Sequence, residues 1–356
     1  MNGLTAEMLQ QKIKRGEPVE QVSLRGANLR GLDLAGGMLQ GVDVSGADFT
    51  GANLHETVFT ACQLDGALMS GARIEQTVFN QCEMNAVKLT RTELTETIFN
   101  HCRINDACFS HSQQDKNQFI ACSLHRTRFT GAQLSHSAFN HCLLEGAQMD
   151  KMRCLLTTFF SIDLRHTRFA RSRFERAIFF ACNHREQCYA QQVFIGCQFS
   201  DNKLDAVDFS RAQLTQCNFS GASLQGANLQ RVNAVQALFT TADLSGARCQ
   251  NSIFDQAIFV GARLEGSDFS GSRFYQAILQ QVTAAAANFA GCDLTWVDLS
   301  GADLSHTNFR GAVFFRTRFH SARHTGAQFS DRTHIIEHDS ELLAAEAWST
   351  LRQSRS

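Results

Sequence analysis

The sequence predicts an all-β solenoid, a quadrilateral parallel β-helix with a short helix at each end. Two regular beats predict it. The first has a period of five. In GVDVSGADFTGANLHETVF, residues 41–59, a large apolar residue returns as Val44, Phe49, Leu54 and Phe59, and a smaller one precedes each by two places, as Val42, Ala47, Ala52 and Thr57. From Leu24 to Phe329 the beat gives 62 positions, and 55 of them hold Leu, Phe, Met, Ile, Val or Tyr without a slip of frame. The second beat has a period of twenty. Phe recurs from Phe59 through Phe79 and Phe99 to Phe259 without a break, while the following positions read Leu64, Met84, Ile104, Leu124, Leu144 and Leu164.

A period of five matches neither the two-residue alternation of a strand nor the 3.6-residue turn of a helix. It does match a coil whose straight sides are five residues long. Four sides close a square of twenty residues, and stacked squares hydrogen-bond through their backbones at roughly 4.8 Å. The large residue fills the centre, the small one sits inward near a corner, and the other three face solvent. Each coil then contacts only its neighbours. A single proline, Pro18, fits a chain that makes one kind of turn repeatedly.

The units GADFTGANL, GASLQGANL and GADLSHTNF resemble those of the pentapeptide-repeat family, over about residues 22–330. The resemblance implies a right-handed quadrilateral β-helix, here of about 15 coils and roughly 75 Å at the strand spacing.

Residues 1–21 are expected to form an N-terminal cap helix and linker, with Thr5 as N-cap, Met8, Leu9 and Ile13 as the apolar stripe and Gly16 as the stop. The solenoid, 22–330, is expected to be irregular near 111–118, 150–156 and 183–192. There Gln114, Asn117, His184, Gln187 and Gln192 fall at inward positions, and Met152 falls at a small-residue site. A buried amide without partners costs about 1–3 kcal/mol, so the first and third stretches are expected to bulge outward. Residues 331–356 are expected to form a C-terminal helix that caps the stack or pairs with a second copy through Leu342, Leu343, Trp348 and Leu351.

Six cysteines, Cys62, Cys82, Cys102, Cys122, Cys142 and Cys182, share one side at the small inward position. Parallel stacked side chains do not converge as metal ligands must, so packing is the expected role. Neither a phosphate loop nor a nucleophile elbow is present. No enzyme activity, cofactor or metal is expected. With no apolar run near 18 residues and no cleavable leader, a cytoplasmic protein without a membrane span is expected, open to delivery by a specialised secretion system.

Net charge is −1, but Lys151, Arg153, Arg165, Arg168, Arg171, Arg173, Arg176 and Arg185 face only Asp163 and Glu175 across 151–185. This belt points to an acidic protein partner at Arg165, Arg168, Arg171, Arg173, Arg176 and Arg185. Outward aromatics are too few for base stacking, so nucleic acid is not expected. The reading is a non-catalytic protein–protein interaction scaffold. KRGEPVEQVSLRGANLRGLDLAG, following the first helix, is similar to repeat regions associated with type VI secretion, which implies an accessory or adaptor role there. The alternatives implied by the family are a DNA-mimicking modulator of gyrase and a secreted effector.

Overall fold

The computed structural model describes residues 4–353, with the side chains of all but 346 and 350–353. The chain divides into two compact units, Met1–His184 and Arg185–Ser356.

In the first unit Thr5 Oγ1 accepts from the Met8 N–H at 3.3 Å and opens helix α1, Ala6–Lys14. Leu9 and Ile13 are buried, whereas Met8 is exposed. The helix lies so close to the first coil that a Cβ on Gly37 would come within 3.0 Å of Ile13 Cδ1. Strand Val19–Glu20 starts a nine-stranded parallel sheet that ends at Ile178–Phe180. Each member pairs with the strand twenty residues on, as Phe59 with Phe79 and Phe139 with Phe159. Within this unit a second parallel sheet has its strands from Ile74–Glu75 to Arg173–Glu175.

One five-residue unit shows how this chemistry folds. The Ala27 N–H donates to Leu24 O at 2.9 Å, and Gly26 between them has φ +65°. Positive φ at the second central residue makes this a type II turn, for which glycine is suited. The Leu24 and Gly26 N–H groups donate forward to Asp43 O and Ser45 O, and the Asp43 N–H donates back to Val22 O. The remaining N–H of a unit goes to a side chain: the Ser45 N–H donates to Asp43 Oδ1 and the Thr50 N–H to Asp48 Oδ1, both at 2.9 Å. This Asx turn is the physical reason for Asp or Asn at the middle of so many units. The two inward residues are buried from Leu34 to Phe309, and at the ends some, such as Ala27 and Phe329, are half-buried. Phe59 and Phe79 stack at 5.0 Å, and Phe119 and Phe139 at 4.7 Å.

Not every corner closes in this way. At Cys62, Cys82, Cys102, Cys122 and Cys142 the backbone turn bond is not made, and the chain runs as a three-residue strand. Side chains of the next coil then meet the freed carbonyl. Thr97 Oγ1 donates to Ile74 O at 3.2 Å, and Cys82 Sγ to Phe59 O at 3.4 Å.

Open corners also explain why the expected bulges are not formed. Asn117 is fully buried: its Nδ2 donates to Leu94 O at 3.0 Å and its Oδ1 accepts from the Thr97 N–H at 2.8 Å. Gln114, 3 % exposed, lies inside regular strand Gln113–Asp115 and donates to Ser112 Oγ at 3.0 Å. Met152 is buried, and strand Arg153–Leu155 follows it in register. His184 packs edge-on against Phe179 at 5.2 Å. Asn117 finds both partners at an open corner, and Gln114 satisfies its Nε2 while its Oε1 stays buried without a partner.

In the second unit corners close nearly throughout, and most coil-to-coil pairing is by single parallel bridges such as Asp208–Asn228 and Ile258–Ile278. Gln187 and Gln192 are buried there too, and Gln187 Oε1 accepts from the Cys188 N–H at 2.8 Å. At its end Thr317–Arg318 pairs with Ile335–Ile336. Helix α2, Ser340–Gln353, follows, with Asp339 Oδ1 accepting from the Glu341 and Leu342 N–H groups and Asp339 Oδ2 lying 3.3 Å from Arg318 Nε.

Two predictions test this packing. Asn117→Leu orphans the Thr97 N–H and Leu94 O, so it should cost about 2–4 kcal/mol in chemical denaturation, more than Asn117→Thr. Burial pulls the His184 pKa down from 6.5 to about 3. The unfolded chain therefore binds the extra proton, and stability present above pH 6.5 should be lost as pH falls towards 3, by up to about 1.4 kcal/mol per pH unit. His184→Phe should flatten that slope when denaturant midpoints are measured across this range.

Candidate protein-binding surface

Outward residues twenty apart lie on neighbouring coils, at roughly the strand spacing. Over most of the chain they are complementary. Lys116 Nζ meets Glu96 at 2.9 Å, Arg126 meets Asp106 at 2.7 Å, and Asn100 Nδ2 donates to Asn80 Oδ1 at 2.8 Å. In the second unit Gln216, Gln236, Gln256 and Gln276 form an amide ladder with steps of 2.9–3.0 Å.

Residues 151–176 break this habit. Arg153 lies in register with Arg173, and the Lys151 N–H donates to Ala170 O, which sets Lys151 beside Arg171. Like charges so placed repel. The candidate arginines do not share one face. Arg165 pairs with Asp163 at 2.7 Å, Arg168 with Asp150 at 3.0 Å, and Arg173 with Glu175. Arg185 belongs to the second unit and pairs with Asp205 at 3.1 Å. Arg171 and Arg176, with Lys151 and Arg153, have no carboxylate within 4 Å among the described residues. An open groove of about 730 Å³ follows this side from Glu93 and Gln113 to Arg153, Leu155 and Arg173.

Sequence reasoning missed the apolar residues beside these cations. Leu155, Leu156, Ile178 and Phe180 are all exposed. The signal was present: of 29 phenylalanines, Phe160, Phe180 and Phe315 stand off the five-residue frame. Leu156 occupies a corner at φ +50°, where it and Trp296 are the large apolar exceptions among Gly, Gln, Ala and charged residues.

The cysteine ladder has a structural role. Cys102 Sγ donates to Phe79 O at 3.2 Å and Cys122 Sγ to Phe99 O at 3.2 Å, and Cys62, Cys82, Cys142 and Cys182 donate likewise to the carbonyl 23 residues earlier. The thiols thus do at open corners what threonine hydroxyls do elsewhere. Burial pushes the Cys182 thiol up to about 11. Among the described residues no group of three or more His, Cys, Asp or Glu is placed to hold a metal ion. Among the described residues no helix is long and apolar enough to cross a membrane.

On α2, Leu342 is half-buried, Leu343 and Trp348 are exposed, and the Leu351 side chain lies outside the described residues. Nearer the C-terminus, Arg318 and Arg323 pair with Asp298 and Asp303, and Arg316 lies over the Trp296 ring at 4.7 Å.

Two family models match the chain. One, described as pentapeptide repeats, matches in eight copies lying within 20–76 and 190–331; the other, a pentapeptide repeat region, matches 72–149. No curated protein matches it. Among solved structures, a trypsin-treated form of QnrB1, a plasmid-mediated fluoroquinolone resistance protein, is 16% identical with TM-score 0.27, covering 66% of this chain and 97% of its own. HetL, a pentapeptide repeat protein involved in heterocyst differentiation regulation from the cyanobacterium Nostoc sp. strain PCC 7120, is 18% identical with TM-score 0.15, covering 71% and 87%. A pentapeptide repeat protein from the Arabidopsis thaliana thylakoid lumen is 22% identical with TM-score 0.15, covering 41% and 75%.

The burial pattern predicts selective labelling. Of the 13 cysteines only Cys188 is exposed, so a thiol reagent should titrate one group in the native chain and all thirteen in denaturant. Rapid native labelling of several would contradict the ladder's packing role.

Proposed function

The chain belongs to the pentapeptide-repeat family, and from that premise we propose that it is a non-catalytic scaffold that binds an acidic protein through its first unit. The observation that carries this reading is the stacking of Lys151 beside Arg171 and of Arg153 against Arg173. A solenoid gains nothing structurally from two adjacent pairs of like charges. An anionic partner converts that repulsion into attraction and steers association. The two rows flank the groove side of the unit, and a rigid sheet holds them in fixed spacing.

A DNA-mimicking modulator of gyrase would present an anionic surface here, and these stacks are cationic. The type VI secretion setting and the cytoplasmic location rest on the sequence alone. Exposed Leu343 and Trp348 support pairing of α2 with a second copy.

Reversing charge at Lys151, Arg153, Arg171 and Arg176 to Glu should abolish partner recovery from native lysate. The paired residues Arg165 and Arg168, changed to Gln, should leave it within about twofold. Equal recovery by both variants would remove the first unit's cationic side as the binding surface.

A further inference from the structure

The unpaired cations border an apolar patch, and the two features together specify a partner. Phe160 and Phe180 are register partners on adjacent strands, and their rings stack at 5.3 Å with 6° between planes on the outer side of the sheet. Ile178 lies on the same strand as Phe180, two residues before it. Leu156 occupies the preceding corner, and the Ile178 N–H donates to Thr157 O beside it. Leu155 continues the patch round that corner. Phe180 is 53 % exposed and Leu155, Leu156 and Ile178 about 40 % each. Arg153 precedes the patch on the strand of Leu155, and Arg176 takes the corner one coil after Leu156. Glu175, the acidic residue among them, is held by Arg173.

Leu156 adds an independent argument. Among the corners at positive φ, Leu156 and Trp296 carry the large apolar side chains, where the others hold glycine, alanine or polar residues, and Leu156 exposes its side chain to solvent beside the patch.

We propose that this edge docks an acidic amphipathic segment of a partner protein, whose apolar side covers Leu155, Leu156, Phe160, Ile178 and Phe180 and whose carboxylates meet Arg153, Arg171 and Arg176. The proposal rests on the scaffold reading above and specifies its ligand. An apolar centre with a charged rim is the composition of a specific protein interface. A second copy of this chain would set the same cations against each other across a two-fold axis, which disfavours it as occupant. A polyanion without apolar groups would leave the phenylalanine pair in water.

The test uses the full chain and three labelled peptides of equal length, read by fluorescence anisotropy. One is an amphipathic peptide of Leu, Phe and Glu; one has Lys in place of Glu; one has Glu with Gly and Ser and no apolar residue. The first should bind at least tenfold more tightly than either other peptide. Phe180→Ser and the triple variant Arg153→Glu, Arg171→Glu, Arg176→Glu should each weaken it at least tenfold. Leu156→Gly should weaken binding while raising the melting temperature, opposite effects that a purely structural residue would not give. Binding lost in the arginine variant but unchanged in Phe180→Ser and Leu156→Gly would overturn the apolar dock and leave the scaffold reading standing. Binding unchanged in all variants would overturn both. Tight binding of the Lys peptide, or self-association in sedimentation that Phe180→Ser abolishes, would show a different occupant and overturn the proposal.

Discussion

Everything in this protein depends on a corner at every fifth residue with positive φ. An L residue reaches that conformation at a cost, and the chain does so at every fifth position from Gly16 to Gly326 except His166. The return is complete use of the backbone. Each coil passes its N–H groups and carbonyls to the coils on either side, and an Asx turn absorbs what remains. The hydrophobic filling follows, because a square held at that spacing leaves room for one large and one small side chain per side.

Two kinds of corner share the work. Closed corners use a backbone turn bond and accept alanine at the small position. Open corners release a carbonyl, and a side chain one coil on must answer it. Thr97, Asn117 and the cysteines Cys62 to Cys142 are residues that can. The cysteine ladder and the buried Asn117 are two instances of that answer.

The five- and twenty-residue beats made the solenoid legible in the sequence because its core is a direct record of its period. Corner type was not legible, since it depends on hydrogen bonds between residues twenty or more apart. Gln114 and Asn117 therefore read as defects that should be expelled, and the structure buries both, Asn117 with partners for its whole amide and Gln114 with one for its Nε2 alone. The candidate binding surface was half legible. The arginines stood out by number, but pairing separates Arg165, Arg168 and Arg185, which have carboxylates, from Arg171 and Arg176, which do not. The apolar patch lay outside the repeat frame, where Phe160 and Phe180 were hidden among 29 phenylalanines.

The central claim is that residues 151–180 hold features kept for binding at the expense of stability. Chemical denaturation of the double variant Arg153→Glu, Arg171→Glu tests it most directly. Both changes turn like-charge neighbours into opposite ones, in the manner of Lys116 and Glu96. The account predicts a higher denaturant midpoint at unchanged slope, by about 0.5–1 kcal/mol, with a smaller gain at high salt. A midpoint lowered by either change would mean that the cations support the fold, and would contradict the claim.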